Sequence, residues 1–290
     1  MVLVLGMSIN AKVIIVVPEP DLAANTIWNT LERKSYFKES DAIFDNHPVY
    51  ELERNPNNVK LVHSKKDGVE SNHLDQSLDA ELYIFASRHR AASGTPALLI
   101  HPTGNWSKIT LGGNEKELSY TSAWALKEGL FELKENKEKY NLEEFKVDLE
   151  VTHHGPTSLT TPLIYMELGS SEKYWKNEEA ALAVGESIIN TAMKFTKKSD
   201  FKKECFVGFG GNHYAYRFHK HIMENEEAYI SHMAAKHTLD DLTKEIILEA
   251  FQKTLEKTDI ALIDKKGANS PQRKKIIEIL EEIEKEYILV

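Results

Sequence analysis

Histidines follow the ends of four strand-like apolar segments in this chain, which contains 12 histidines in all. Ligands of open α/β sheets collect where strand ends meet loops, so imidazoles in these places could reach one pocket. Neutral imidazole is a common zinc ligand, and a zinc site without cysteine usually keeps an open position for a catalytic water. The candidate metal-site histidines are His89, His101, His153, His154 and His213.

The joint pattern, rather than any single histidine, favours a site. One histidine near a strand end is more often a hydrogen-bonded structural residue than a ligand. Adjacent side chains of a strand point to opposite faces, so His153 and His154 can serve one site only if the chain turns between them. Gly155-Pro156 directly after them would permit such a turn.

Two glutamates are candidates for a role beside the histidines. Glu167 lies in the apolar segment 163–168, where an unpaired charge is expensive to bury unless a metal, an arginine or a general-base role compensates it. Glu186 shares a helical stripe with Leu182, Ile189 and Met193, which predicts that it points inward. The alternatives are an edge position open to water for Glu167 and a stripe-edge position for Glu186.

Arg88 and Arg90 flank His89 and could hold a phosphate or a substrate carboxylate through paired hydrogen bonds. Pairing with acidic residues at the surface is the alternative.

Composition places the chain among ordinary globular proteins and limits its partners. It is 41% hydrophobic and 28% charged, and its one cysteine, Cys205, excludes an intramolecular disulfide and a cysteine-based zinc site. A net charge of −9 argues against non-specific coating of nucleic acid, and we expect no DNA partner. Smaller local contacts with RNA remain open, and basic residues cluster at Lys265, Lys266, Arg273, Lys274 and Lys275.

Residues 1–10 include an apolar stretch that is too short to span a bilayer and lacks the features of a signal peptide. We therefore expect an extension ahead of the first strand, no membrane partner and a cytoplasmic location.

Strand and helix patterns alternate over most of the chain. They predict one α/β domain over residues 1–290, a three-layer α/β/α arrangement with a mixed sheet, and a helical C-terminal part over residues 224–290. The predicted strands are 12–17, 49–52, 59–63, 82–87, 97–100, 147–152, 162–168 and 205–209, and the predicted helices are 22–31, 119–140, 177–195, 224–237, 240–257 and 270–287.

Five motifs in order resemble the archaeal and plant type of D-aminoacyl-tRNA deacylase, and the likeness covers roughly residues 12–257. The resemblance implies a phosphorylase/hydrolase-like α/β/α fold, zinc dependence and hydrolysis of the ester that joins a D-amino acid to the 3′ end of tRNA. The motifs are Ser87-Arg88-His89-Arg90, residues 96–106 with His101-Pro102-Thr103-Gly104-Asn105-Trp106, residues 151–157, Met166-Glu167-Leu168-Gly169 and Gly210-Gly211-Asn212-His213-Tyr214.

Within these motifs we assign roles as hypotheses. Water attack on an ester needs an activated nucleophile and stabilisation of the carbonyl oxygen, which one or two zinc ions per chain would supply. We expect a monomer whose metal ligands are His89, His101, His153 and His213, whose catalytic residues are Glu167, Glu186 and His154, and whose substrate contacts are Arg88, Asn105, Asn212 and Tyr214.

Two other functions fit the same residues. A metal-dependent amidohydrolase or peptidase would use the same ligands on small substrates, and a non-catalytic RNA-binding module would carry structural histidines and no metal.

Overall fold

The computed structural model describes residues 8–199, 201 and 203–290. Strands and helices alternate through most of this range, as the sequence predicts. Helices and strands up to residue 170 are β1 (Ile9–Pro18), α1 (Leu22–Arg33), β2 (Phe37–Phe44), β3 (His47–Leu52), β4 (Val59–Ser64), β5 (Leu78–Arg90), β6 (Ala97–His101), β7 (Gly104–Asn105), β8 (Glu117–Leu118), α2 (Ala123–Lys139), β9 (Lys146–Leu149) and β10 (Leu163–Ser170). The later ones are α3 (Glu172–Trp175), α4 (Glu178–Phe195), β11 (Glu204–Phe209), α5 (Tyr216–Glu224), β12 (Ala228–Ala234), α6 (Lys244–Gln252), β13 (Ile260–Ile263), α7 (Ser270–Glu282) and β14 (Glu286–Leu289).

The main sheet has eight strands in the order β2-β3-β4-β1-β5-β10-β6-β9. Strands β4, β1, β5 and β10 are parallel to one another, whereas β6 pairs with β10 in the antiparallel direction and β9 is parallel to β6. The α/β class with a mixed sheet is therefore confirmed. Because β6 and β9 run against β5 and β10, their carboxyl ends lie at the opposite edge of the sheet.

The two faces of the main sheet carry different layers. Helices α1, α2 and α4 cover one face, where Ile15, Ile84 and Met166 are in the hydrophobic core with them. The alternate residues, such as Phe85 and Tyr165, face the other side and pack against short 3-10 turns and loops. The functional residues lie on this second face.

A smaller parallel sheet follows in the order β12-β11-β13-β14. Val207 and Phe209 of β11 pack with α6 and α7, while Phe206 joins the core that also contains the main sheet. This shared core is consistent with one domain over residues 1–290, and that domain assignment stays a prediction.

The predicted helical C-terminal part is wrong at three places. Residues 228–234 form β12 and not a helix, residues 260–263 form β13, and residues 286–289 form β14 beyond the last helix. Every residue of β12 is buried, and periodicity cannot separate such a short apolar run from a buried helix segment. Of the predicted extension 1–10, Ile9 and Asn10 belong to β1, and residues 1–7 lie outside the described residues.

Several helices begin after a residue whose side chain accepts a hydrogen bond from the first turn. Among these caps are Asp21 for α1, Asn177 for α4 and Asn269 for α7. Among the described helices, none combines the length and the apolarity that crossing a bilayer requires.

Candidate metal centre

The first part of the site is assembled by the register of three neighbouring strands. Strand pairing places Gly169 of β10 beside His89 of β5 and Tyr165 of β10 beside His101 of β6, so these side chains share a face with Glu167. Glu167 Oε2 lies 3.3 Å from His89 Nδ1, and Glu167 Oε1 lies 3.4 Å from His101 Nε2. From the sequence we expected the histidines to meet at one edge of the sheet, where strands end. His89 and His101 instead meet on one of its faces.

The second part comes from the segment that leaves β9. Here the chain turns sharply, because His154 adopts a positive φ of 44°. A bridge between Thr103 and His153 holds the segment beside the end of β6. The ring centroids of His153 and His154 lie 4.2 and 4.8 Å from that of His101. The turn that the two adjacent histidines require is thus present.

The loop after β11 supplies the third part from the smaller sheet. The backbone N–H of Val151 donates to the carbonyl of His213, which fixes the loop against the segment after β9. His213 Nε2 lies 2.8 Å from Glu150 Oε1, and the ring centroids of His213 and His153 are 4.7 Å apart. Both sheets therefore contribute to one cluster.

The cluster contains three sets of possible metal ligands in which the ligand atoms all lie within 4.8 Å of one another. Glu150 and His153 each belong to two sets. The first and the third set share no residue, so both can be filled together. The sets are His101, His153 and His154; Glu150, His153 and His213; and His89, Glu150 and Glu167.

Ring orientation in the first set suits metal binding. Nδ1 of His101, His153 and His154 lies 3.1, 2.7 and 2.6 Å from a backbone carbonyl oxygen, which can only accept a hydrogen bond. In the neutral rings each Nδ1 therefore carries the hydrogen, and each Nε2 keeps its lone pair. Metal-binding histidines typically donate their second ring nitrogen to a carbonyl or a carboxylate in this way.

Unsatisfied polar atoms concentrate at the same place. Within the described residues, His89 Nε2, His101 Nε2 and both carboxylate oxygens of Glu150 are buried and form no hydrogen bond of regular geometry, although His213 Nε2 and His89 Nδ1 approach Glu150 Oε1 to 2.8 and 3.5 Å. Glu150 is fully buried. Leaving a carboxylate in this state is costly, and a cation between these atoms would remove the cost. The residues present thus fit a zinc ion, for which imidazole and carboxylate are ordinary ligands.

Protonation differs across the cluster. Burial and the neighbouring histidines lower the pKa of His153 well below its usual value, and burial with His101 lowers the pKa of His154 to about 4. Burial opposes charging of His89 and His101 as well, but the adjacent Glu167 outweighs it and raises the pKa of both. The pKa of Glu167 is well below its usual value because the attraction of His101 and His89 outweighs burial.

A cleft of about 670 Å³ opens onto the cluster. His153, His154, Glu167 and His213 form part of its wall, together with Arg88, Arg90, Asp21, Asp67, Trp175, Thr110 and Leu111. Their presence in one wall means that a substrate group in the cleft can reach the candidate metal ligands.

Comparisons with known proteins agree with this arrangement. The sequence profile of the family described as D-aminoacyl-tRNA deacylase matches residues 76–288. The chain belongs to this family. The resemblance found in the sequence is thereby confirmed. Family membership also confirms the prediction that the chain is a hydrolase that acts on ester bonds.

Relatives within the deacylase family match nearly the whole chain. A D-aminoacyl-tRNA deacylase of Thermococcus onnurineus is 32% identical over 281 residues, which is 95% of this chain and 98% of the relative. One of Methanosarcina barkeri is 34% identical over 282 residues, 94% of this chain and 87% of the relative. The crystal structure of a conserved protein of unknown function is 28% identical, with a TM-score of 0.83 over 96% of this chain and 95% of that one.

The deacylase fold does not bring Glu186 to the site. Tyr36 donates a 2.5 Å hydrogen bond to Glu186, and Lys139 forms an ion pair with it. The prediction that Glu186 points inward is confirmed, since Glu186 is buried. This side of α4, however, faces α1 and α2 rather than the histidines. The predicted catalytic role of Glu186 is therefore wrong.

Two predicted substrate contacts are occupied by the protein itself. The Asn105 amide donates to the carbonyls of Gly112 and Asn114, and its side chain is buried, so Asn105 shapes the loop that lines the cleft. Arg88 donates to Asp67 at 2.8 Å and lies 3.6 Å from Asp21. The structure therefore favours the alternative of acid pairing for Arg88.

Asn212 and Tyr214 remain near the cluster. The ring centroid of Tyr214 lies 5.5 Å from that of His213 and 6.4 Å from that of His89. Asn212 caps the turn that leads to Tyr214 by accepting from its backbone N–H. Their substrate roles stay predictions.

Glu150 is a candidate metal ligand that sequence reasoning missed. It lies inside the apolar segment 147–152, and the argument applied to Glu167, an acid in an apolar run, would have identified it. Trp175 was also missed, although its Nε1 donates a 2.9 Å hydrogen bond to the carbonyl of His89.

Proposed function

We propose that this chain hydrolyses the ester that joins a D-amino acid to the 3′ end of tRNA, and that it does so with zinc at the histidine–glutamate cluster. The observation that carries the proposal is the convergence of five histidines and two buried glutamates beside an open cleft. Relatives that match nearly the whole chain bear the name of this activity.

Two ligand sets without a common residue support the binding of two zinc ions. His101, His153 and His154 would hold one ion, and His89, Glu150 and Glu167 would hold the other. His153 Nδ1 bonds to the Val151 carbonyl, so only its Nε2 can bind a metal. If His153 binds the first ion, the set of Glu150, His153 and His213 cannot be filled as well. When bound, zinc lowers the pKa of water and polarises the ester carbonyl.

The remaining groups of the cleft would orient the substrate and move protons. Glu167 is a carboxylate in the cleft wall and can accept a hydrogen bond from the attacking water. Glu167 can pass the proton that it takes from this water to the ribose oxygen as its bond to the carbonyl carbon breaks. The His213 side chain is 41% exposed and lies in the wall of the cleft, and we assign to it a hydrogen bond to the substrate.

All of these groups come from one chain, so the proposed reaction needs no residue of a second subunit, and the expected monomer stays a prediction. Cys205 is buried, and burial raises the pKa of its thiol, so it is not placed as a nucleophile. A tRNA substrate is consistent with the expected cytoplasmic location.

The test is a deacylation assay on matched D-tyrosyl-tRNA and L-tyrosyl-tRNA, before chelation, after chelation and after zinc is added back. We expect hydrolysis of the D-ester only, loss of activity on chelation and recovery with zinc. His153→Ala should lose activity. The control is His47→Ala, which removes a histidine of β3 that contacts Glu19, and it should retain activity. Full activity of the chelated enzyme or of His153→Ala would overturn the proposal.

A further inference from the structure

A second cleft, of about 870 Å³, lies beside the histidine cluster and shares His213 with it. Its walls are the loops that follow β11, β12 and β13, three adjacent parallel strands of the smaller sheet. From the central β11 the chain first forms β12 on one side and later β13 on the other. Such a switch point, at the carboxyl ends of parallel strands, is where open α/β sheets bind ligands.

Three cationic side chains line this cleft and outnumber its two carboxylates. Arg217, Lys236 and Lys266 are exposed, and within the described residues their side chains take part in no ion pair or hydrogen bond. The two carboxylates of the cleft bond to neutral groups rather than to these cations: Asp264 accepts from the backbone N–H groups of Lys266 and Gly267, and Asp240 accepts from the Gln272 amide. In a chain of net charge −9, this leaves a local surface suited to an anion.

Tyr216 adds an aromatic surface to these charges. It lies in the wall of the cleft and is 65% exposed, the highest value for a large hydrophobic side chain among the described residues. Gly211, with a φ of 82°, lets the backbone itself form part of the wall. Positive groups together with an exposed aromatic ring are the combination by which proteins bind single-stranded nucleic acid.

We propose that this second cleft, lined by Tyr216, Arg217, Lys236 and Lys266, binds the single-stranded RNA segment that precedes the scissile ester. The cations contact the phosphates, and a base stacks on Tyr216. His213 forms a wall of both clefts, so an RNA strand held in the second cleft presents its 3′ ribose to the histidine cluster. This inference rests on the proposed function, because it names the part of the substrate that the enzyme holds away from the reaction.

The binding test uses 5′-fluorescein-labelled single-stranded RNA with a free 3′ end and measures fluorescence anisotropy, so that no turnover is needed. We expect Tyr216→Ala to weaken binding about tenfold through lost stacking. Lys236→Gln combined with Lys266→Gln should weaken it to a similar degree, about tenfold, at low salt. Lys134→Gln removes an exposed lysine on α2, outside this cleft, and should bind as the wild type does.

All substituted side chains are exposed, and thermal unfolding of each variant checks that the fold is retained. Equal RNA affinity of the wild type and the cleft variants would overturn the inference, as would an equal loss in Lys134→Gln. With D-tyrosyl-tRNA as substrate, the cleft variants should raise KM rather than lower kcat. Wild-type enzyme that hydrolyses no D-tyrosyl-tRNA would overturn the proposed function, and the anisotropy result would then decide the second cleft alone.

Discussion

The histidine cluster and the second cleft differ in their relation to the sheet that carries them. In the main sheet β6 runs against β10, so reactive side chains meet on a face, where Glu150 and His101 are fully buried. In the smaller sheet all strands are parallel, and Lys236 and Lys266 stand exposed at the common carboxyl edge. Buried carboxylate and imidazole atoms that form no hydrogen bond are suited to bind a cation. Exposed cationic side chains that form no ion pair can bind an anion from solution.

Glu150→Gln should have the largest effect, because it removes a carboxylate that two of the ligand sets share. We expect turnover of D-aminoacyl-tRNA to fall by roughly 10²- to 10⁴-fold, measured as kcat. The same change removes a fully buried charge whose oxygens accept no hydrogen bond of regular geometry and only approach the rings of His213 and His89, so the metal-free protein should become more stable by about 1–3 kcal/mol in urea unfolding.

Glu256→Gln is the matched control. Glu256 is also a buried glutamate, but Ser122, the backbone N–H of Ala123 and Lys198 all donate to it. Its substitution should destabilise the protein by roughly 1–3 kcal/mol and leave kcat unchanged. If both variants were destabilised alike, Glu150 would not be a residue held ready for a cation.

Gly169→Ala disturbs the cluster without changing any candidate ligand. A Cβ at Gly169 would meet His89 Cβ at 2.7 Å, so His89 must shift. We expect kcat to fall by about 10²-fold, since a misplacement near 1 Å can cost that much. Gly185→Ala creates a similar overlap, 2.8 Å from Leu31, far from the histidines, and should lower stability with full activity. Equal activity of both variants would contradict the role of His89.

The sequence predicted the cluster well where a single strand carried the signal. His89, His101, His153, His154 and His213 were found because each follows an apolar run, and Glu167 because an acid inside such a run is unusual. Glu186 failed because a helical stripe shows that a residue points inward but not which layer it meets; here the neighbours are Tyr36 and Lys139. The direction of each strand could not be predicted from the sequence either, because the antiparallel direction of β6 depends on its pairing with β10 in the folded protein.

Salt dependence should separate the two regions. Each lysine–phosphate contact makes the fall of log affinity with log salt steeper by about 0.7 for single-stranded nucleic acid. Lys236→Gln with Lys266→Gln should therefore make this fall less steep for tRNA by about 1.4. Glu150→Gln should keep the wild-type slope, because the buried cluster contacts no phosphate in this account. A common slope for all three proteins would place the phosphates elsewhere.

Trp175→Phe should have the smallest effect. It removes one hydrogen bond to the His89 carbonyl and alters the ring over which Arg90 stacks at 5.0 Å. The expected loss is about 1 kcal/mol in unfolding free energy and a few-fold in kcat. A loss of kcat as large as that of Glu150→Gln would show that Trp175 contacts the substrate directly.

Elemental analysis of the purified chain after exhaustive dialysis shows whether the histidine–glutamate cluster holds zinc. We expect about two zinc ions per chain in the wild type, because two ligand sets share no residue, and fewer in Glu150→Gln. Zinc-free protein that still hydrolyses D-tyrosyl-tRNA at the full rate would contradict the proposed zinc dependence.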